Sequence, residues 1–135
     1  MIKLRWFAVF VGLLAVYSCA SPERVVVAQP GVPFLLLVGE RAALNGSNLL
    51  FKRVSQDSRC PANAICVWEG DAEIEVTASR EGGTAETRTL SLSRPGNEVR
   101  VGDLFVRFLG LDPYPGTYDP STPQAYRARL EIRKL

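Results

Sequence analysis

The residues best suited to chemistry lie around two cysteines in the middle of the chain. Cys60 and Cys66 are separated by five residues, in the segment Cys-Pro-Ala-Asn-Ala-Ile-Cys. Two thiolates cannot fill a tetrahedral zinc site in a chain that contains no histidine. Redox-active pairs usually have two intervening residues, whereas an even number of closely spaced cysteines in a secreted domain indicates a disulfide. We therefore expect a Cys60–Cys66 disulfide, with a metal site, a redox pair and unpaired thiols as the alternatives.

The residues that flank the cysteines are typical of a constrained turn. Asp57 can accept hydrogen bonds from backbone N–H groups two or three residues further on, which sets a turn. Arg59 is expected to pair with Asp57 or with Glu69. Trp68 is expected to pack over the disulfide, and Gly70 to let the next strand bend or bulge.

Arg59 also supports a sharper functional hypothesis. Many protease inhibitors present a basic side chain beside a disulfide, on a constrained loop, as a mimic of the cleavage site. Because such a loop is already ordered, it loses little conformational entropy when it binds. One alternative function is therefore a protease inhibitor that presents the loop from Arg59 to Cys66.

Acidic residues alternate directly after this segment, at Asp71, Glu73 and Glu75. On a strand they would project to one face about 7 Å apart, and calcium accepts irregular cages of oxygen ligands. A second alternative function is therefore a calcium-dependent adhesion or glycan-binding domain. The competing interpretation is a solvated sheet face whose acids lie opposite the arginines of the last strand. Those arginines are Arg127, Arg129 and Arg133.

Three tyrosines surround a proline-rich connection. The segment Asp112–Gln124 contains four prolines, and a connection of this length is often functional. Tyrosine supplies a broad contact area at low entropic cost. Tyr114, Tyr118 and Tyr126 could therefore form a binding surface for a glycan or a peptide, or they could close one end of the domain.

The N-terminal segment combines a charged start with an apolar run. Lys3 and Arg5 precede twelve uncharged residues, a run that suits a signal peptide and is too short to span a bilayer. The run ends in Val16-Tyr17-Ser18-Cys19, which resembles the lipobox of bacterial lipoproteins. This resemblance implies that the signal peptide, residues 1–18, is cleaved and that Cys19 carries fatty acyl chains such as palmitate. The alternative is an ordinary secretory signal that leaves a free thiol.

The same resemblance implies a location in the bacterial cell envelope. Ala20 follows the cysteine, and a residue other than Asp at this place implies the outer membrane, with the domain facing the periplasm or the surface. Apart from Lys3 and Arg5, basic and acidic side chains balance at 14 each. A neutral domain has no electrostatic footprint for nucleic acid. Without histidine, the commonest general base, we expect neither enzymatic activity nor a cofactor.

Most of the remaining chain has the period of β-strands. Residues 72–79 and 126–133 alternate between apolar and polar side chains, and Asn45-Gly46 and Gly82-Gly83 are typical of hairpin turns. The pattern predicts an all-β antiparallel sandwich, immunoglobulin-like as first choice and a small barrel as second. We expect residues 19–32 to be the lipidated cysteine and a short tether, in which Val25–Ala28 could add an edge strand. Residues 33–135 form the predicted domain.

The motif Asp57-Ser58-Arg59-Cys60-Pro61, followed by Cys66 and by Trp68-x-Gly70, resembles one found in small uncharacterised secreted proteins and lipoproteins of bacteria. The likeness runs from about Val54 to Gly70 and is weaker at Leu111–Pro115. It implies a small envelope β-domain and carries no established activity. The expected function is therefore that of a membrane-anchored envelope lipoprotein acting as a binding or structural module, with an envelope protein or a glycan as possible partner.

Overall fold

The computed structural model describes residues 23–93, 95–119, 121 and 125–135. The predicted signal peptide and Cys19 lie outside the described residues. Within the described part, nine strands form two sheets, and no helix is long and apolar enough to cross a membrane. The strands are β1 (Val25–Val27), β2 (Phe34–Leu37), β3 (Arg41–Leu44), β4 (Ser47–Asp57), β5 (Ala72–Arg80), β6 (Glu86–Ser91), β7 (Glu98–Val101), β8 (Leu104–Asp112) and β9 (Arg127–Lys134).

The larger sheet has the strand order β1-β3-β4-β5-β6, and the smaller sheet has the order β2-β9-β8-β7. All neighbours are antiparallel except β1 and β3, which are parallel. The predicted sandwich is therefore confirmed. Its connections are mainly hairpins between neighbouring strands, so the topology consists of meanders and not of the Greek key that defines an immunoglobulin domain.

The core lies between the sheets because each long strand buries every second side chain. In β5 the buried residues are Ala72, Ile74, Val76 and Ala78, and they belong to the same apolar cluster as Ala128, Leu130 and Ile132 of β9. Asn45 and Gly46 have φ values of 48° and 81°, which makes the predicted tight turn between β3 and β4. The alternation in the sequence thus corresponds to the two faces of each sheet.

The first strand comes from the segment expected to be a tether. Val25, Val26 and Val27 pair in register with Arg41, Ala42 and Ala43 of β3, and Ala28 is buried in the core. The edge strand predicted at Val25–Ala28 is therefore present, one residue shorter.

The two ends of the sandwich differ. The connections after β4, β6 and β8, together with the turn after β2, lie at one end, which we call the loop end. The short turns after β3, β5 and β7 lie at the other, the hairpin end. The two long connections that carry the predicted site residues, after β4 and after β8, therefore meet at the loop end.

Candidate functional site

An arginine and an aspartate form a buried ion pair at the loop end. The side chains of Arg59 and Asp57 are only 5% and 8% exposed. The guanidinium donates from Nε to Oδ1 and from Nη2 to Oδ2 of Asp57, both at 2.8 Å. Two parallel bonds of this kind are the strongest form of ion pair available to side chains.

The same guanidinium also fastens the end of β8. Arg59 Nη1 donates to the carbonyl oxygen of Leu111 at 2.6 Å, and Nη2 donates to that of Pro113 at 3.0 Å. The ring of Tyr114 lies 4.9 Å from the guanidinium carbon, within the range of a cation–π contact. Arg59 therefore joins the connection after β4 to the connection after β8.

Tyr126, immediately before β9, completes the network. Its hydroxyl donates to Oδ2 of Asp57 at 3.1 Å. Burial acts to raise the pKa of Asp57, but the hydrogen bonds and charge of Arg59 outweigh it and hold this pKa below its usual range. The hydrogen bonds to Asp57 raise the pKa of Arg59, and burial together with the bond to Asp57 raises that of Tyr126. Both members of the pair are therefore charged at neutral pH.

The segment between β4 and β5 is a stapled extension of their hairpin. Ser58 N donates to the Asp71 carbonyl at 2.7 Å, and Cys60 N donates to the Glu69 carbonyl at 2.9 Å. The predicted disulfide between Cys60 and Cys66 is confirmed, with 5.9 Å between the Cα atoms. We call residues 58–71 the disulfide loop.

Gly70 permits the close crossing at the base of the disulfide loop. Its φ is +71°, and a Cβ atom there would lie 1.8 Å from the carbonyl oxygen of Ser58. A similar approach joins the loop to the next connection: Ala62 N donates to the Pro115 carbonyl at 2.8 Å, and a Cβ on Gly116 would lie 2.6 Å from Asn63 Oδ1. The bend expected at Gly70 thus has a steric basis.

The tip of the disulfide loop exposes large apolar side chains. Ile65, Val67 and Trp68 are 104%, 92% and 83% exposed. The prediction that Trp68 packs over the disulfide is wrong, because the tip lies beyond the reach of both sheets. We call these three side chains the apolar tip. Sequence reasoning missed Ile65 and Val67, although the uncharged run of residues 60–68 around them is a signal that could have been used.

Arg59 is not placed as the protease-inhibitor hypothesis requires. A cleavage-site mimic must offer its side chain to solvent, whereas Arg59 is buried and donates to Asp57 and to two backbone carbonyls. Of its two predicted partners, Asp57 is the one observed. The expectation that Arg59 is displayed is therefore wrong.

The acidic residues do not converge. Asp71 accepts hydrogen bonds from the amides of Ala72 and Ser93 at 2.8 and 2.9 Å and from the Ser91 hydroxyl. Glu75 pairs with Arg53 and with Lys52, both on β4. Glu73 lies on β5, between Asp71 and Glu75 in the sequence. Among the described residues, no group of three or more acidic or cysteine side chains could hold a metal ion.

The pairing predicted for this acidic face is also wrong. Glu73 and Glu75 lie in the larger sheet, whereas Arg127, Arg129 and Arg133 lie on β9 of the smaller sheet. Arg133 pairs instead with Glu98 of β7, at 2.8 Å. Alternation assigned the faces of each strand correctly but could not assign the strands to sheets.

The three tyrosines divide between core and surface. Tyr126 packs against the core and binds Asp57, and Tyr118 is half-buried. Tyr114 is 42% exposed and covers Arg59.

Beside Tyr114, a groove of about 560 Å³ opens between the disulfide loop and the connection after β6. The groove is lined by Arg59, Cys60, Glu69, Gly70, Asp71, Leu92, Ser93 and Tyr114.

The loop end is therefore a rigid frame that carries an apolar tip and an open groove. Comparison with protein-family models, with curated proteins and with solved structures finds no match. The resemblance of the segment around Asp57–Gly70 to small bacterial envelope proteins stays a prediction.

Proposed function

We propose that this protein is a lipid-anchored envelope lipoprotein whose β-sandwich is a binding or structural module with the loop end as its contact face. The observation that carries the proposal is the apolar tip. Ile65, Val67 and Trp68 are almost fully exposed within four residues of the chain, and a concentration of exposed apolar side chains marks an interaction site.

The frame beneath the tip supports a binding role. The Cys60–Cys66 disulfide closes the disulfide loop, and the buried Arg59–Asp57 pair fixes its base to the end of β8. Because these contacts hold the loop before any partner arrives, little conformational entropy is lost on binding. A tip left exposed for no purpose would not require such a frame.

The anchor is proposed from the N-terminal sequence. The lipobox-like Val16-Tyr17-Ser18-Cys19 supports acylation of Cys19, and Ala20 supports retention in the outer membrane. Several acyl chains on one cysteine, each contributing about 0.8 kcal/mol per buried methylene, hold a protein on a bilayer stably.

Growth of the producing cells with an alkyne-tagged palmitate tests the anchor. The wild-type protein is expected to incorporate the tag, to lose residues 1–18 and to require detergent for extraction. Cys19→Ser is expected to abolish labelling, whereas the matched control with Cys60→Ser and Cys66→Ser together is expected to keep it. Equal labelling of the wild type and Cys19→Ser would overturn the anchor.

Site-specific photo-crosslinking in cells tests the contact face. A photoreactive residue at Val67 is expected to capture a partner or lipid much more efficiently than the same residue at Thr84, which is exposed at the hairpin end. Both positions project into solvent, so neither substitution disturbs the core. Equal capture at the two positions would show that the loop end is not a preferred contact face.

A further inference from the structure

We propose that the partner of the apolar tip is the bilayer itself: Ile65, Val67 and Trp68 insert into the interfacial region of the membrane to which Cys19 is acylated. This inference rests on the proposed lipidation of Cys19 and deepens it by assigning an orientation. The sandwich then stands with its loop end on the membrane and its hairpin end away from it.

The direction of β1 determines the side from which the anchored segment approaches the domain. β4 runs toward the loop end and finishes there at Asp57, and β3 is antiparallel to it. β1 is parallel to β3, so the chain enters β1 from the side of the loop end. The anchored segment therefore approaches the domain from the same direction in which the apolar tip projects.

Two ion pairs hold the residues before β1 in this direction. Glu23 pairs with Arg41 at the start of β3, and Arg24 Nε lies 3.8 Å from Glu40 Oε1 in the turn after β2. That turn belongs to the loop end, since Val38 N donates to the carbonyl of Tyr126 just before β9. Followed from Val25 back toward Cys19, the described residues of this segment thus run toward the loop end.

The length of the tether limits how far Cys19 can lie from the domain. Val25 is level with Arg41 and with Leu50 in the sheet register. Leu50 pairs with Thr77 and Asp57 pairs with Ala72, so two bulges in β4 shorten this distance to five residues of β5, a rise of about 17 Å. Val25 follows Cys19 by six positions, so their Cα atoms lie at most about 21 Å apart when the chain is fully extended. A tether that runs toward the loop end therefore ends no further out than the base of the disulfide loop. Because the acylated Cys19 lies at the bilayer surface, the apolar tip beyond this base lies at or within that surface.

The chemistry of the tip suits a membrane interface. Residues 60–68 contain no charged side chain, so their insertion does not require a charge to leave water. Tryptophan and tyrosine concentrate at the level of the lipid headgroups, and Trp68 and the partly exposed Tyr114 lie on adjoining connections of the loop end. The tip is a small apolar wedge of the kind that adds to a lipid anchor.

Tryptophan fluorescence tests the inference on the lipidated full-length mature protein, reconstituted into phosphatidylcholine vesicles that carry brominated acyl chains. Trp6 lies in the segment expected to be cleaved, which leaves Trp68 as the single tryptophan. Its emission is expected to be blue-shifted and at least twofold lower than in vesicles without bromine. Ile65→Ser with Val67→Ser is expected to reduce this quenching while the protein stays vesicle-bound.

The matched control moves the probe to the other end of the molecule. Trp68→Phe with Thr84→Trp is expected to emit as a water-exposed tryptophan, with no quenching by bromine. Equal quenching at the two positions, or none at Trp68 in protein that is lipidated and vesicle-bound, would overturn the orientation and leave the proposed lipoprotein standing. An unmodified Cys19 in the mass spectrum of the mature protein would overturn both.

Discussion

Arg59 is a residue whose type predicts a surface role and whose surroundings give it a structural one. Its guanidinium donates to Asp57 and to the carbonyls of Leu111 and Pro113. A buried charge is tolerated only when it is paired and hydrogen-bonded, and here both conditions hold. The side chain therefore fastens the connection after β4 to the connection after β8 at the loop end.

Arg59→Gln is expected to lower the free energy of unfolding by about 3 kcal/mol or more, because it leaves the Asp57 carboxylate buried without its partner. The matched control is Arg53→Gln, which removes the guanidinium from a surface pair with Glu75 in which Arg53 is 61% exposed. That change should cost less than about 1 kcal/mol. Urea denaturation of both variants measures the difference, and equal losses would contradict the structural role of Arg59.

Asp57 should also make stability depend on pH. Its pKa is lower in the folded protein than in the unfolded chain, mainly because the hydrogen bonds and charge of Arg59 overcome the opposing effect of burial. On acidification the unfolded chain takes up a proton first, so the contribution of Asp57 is complete above about pH 4 and is lost as pH falls through the folded pKa.

The matched measurement follows the melting temperature of the wild type and of Asp57→Asn between pH 7 and pH 2.5. The wild type is expected to be more stable at pH 7, and the gap is expected to close as the pH falls below about 4. A gap that stays constant over the whole range would show that the Asp57 charge does not stabilise the fold.

At this scale the sequence predicted pairing but not burial. Asp57 and Arg59 lie two residues apart, so their ion pair was a local inference. The other acceptors of Arg59 are 52 and 54 residues away in the chain. Burial of Arg59 depends on how the two long connections meet, and that information is not in the local pattern.

At the scale of elements, the disulfide loop is a continuation of the β4–β5 hairpin. Its two sides exchange backbone hydrogen bonds at Ser58 and Cys60, and they cross most closely at Gly70. The loop is therefore fastened at its base by hydrogen bonds and near its tip by a disulfide. Such double fastening explains how three apolar side chains can be held in solvent without collapsing onto the sheets.

Gly70→Ala should destabilise the protein more than Gly39→Ala does. Both glycines have positive φ, +71° and +88°, so both variants carry the same type of backbone strain, about 1–2 kcal/mol. At Gly39 nothing lies within 4 Å of the added Cβ, whereas at Gly70 it would meet the Ser58 carbonyl oxygen at 1.8 Å. Denaturation midpoints measure the comparison; equal losses would show that the close crossing at the base of the loop is not required.

Strands were predicted best where alternation is long. The pattern at residues 72–79 matches β5, and that at 126–133 matches β9 within a residue at each end. β7 gives no periodic signal in the sequence, because its four residues, Glu98–Val101, are too few. The assignment of strands to sheets also failed from sequence, since the acids of β5 and the arginines of β9 belong to different sheets.

At the scale of the whole molecule, the important feature is the asymmetry of the two ends. The hairpin end has short turns, whereas the loop end carries the disulfide loop and the groove, and the chain enters β1 from the side of the loop end. The sequence predicted the sandwich and the disulfide. It could not predict the exposure of Trp68, because that depends on whether another element reaches the tip.

In the proposed orientation, the loop end faces the bilayer that carries the Cys19 anchor. Energy transfer to acceptor lipids in the vesicle surface measures this orientation. With Cys19 acylated as proposed and the other two cysteines in a disulfide, a single added cysteine takes the donor dye: Thr117→Cys at the loop end or Thr84→Cys at the hairpin end.

The length of β5, nine residues or about 30 Å, separates the two ends. This orientation should give transfer that is efficient from position 117 and much weaker from position 84. Transfer that is equal from the two positions, or stronger from position 84, would rule the orientation out, because the sandwich would then lie flat or stand inverted on the membrane.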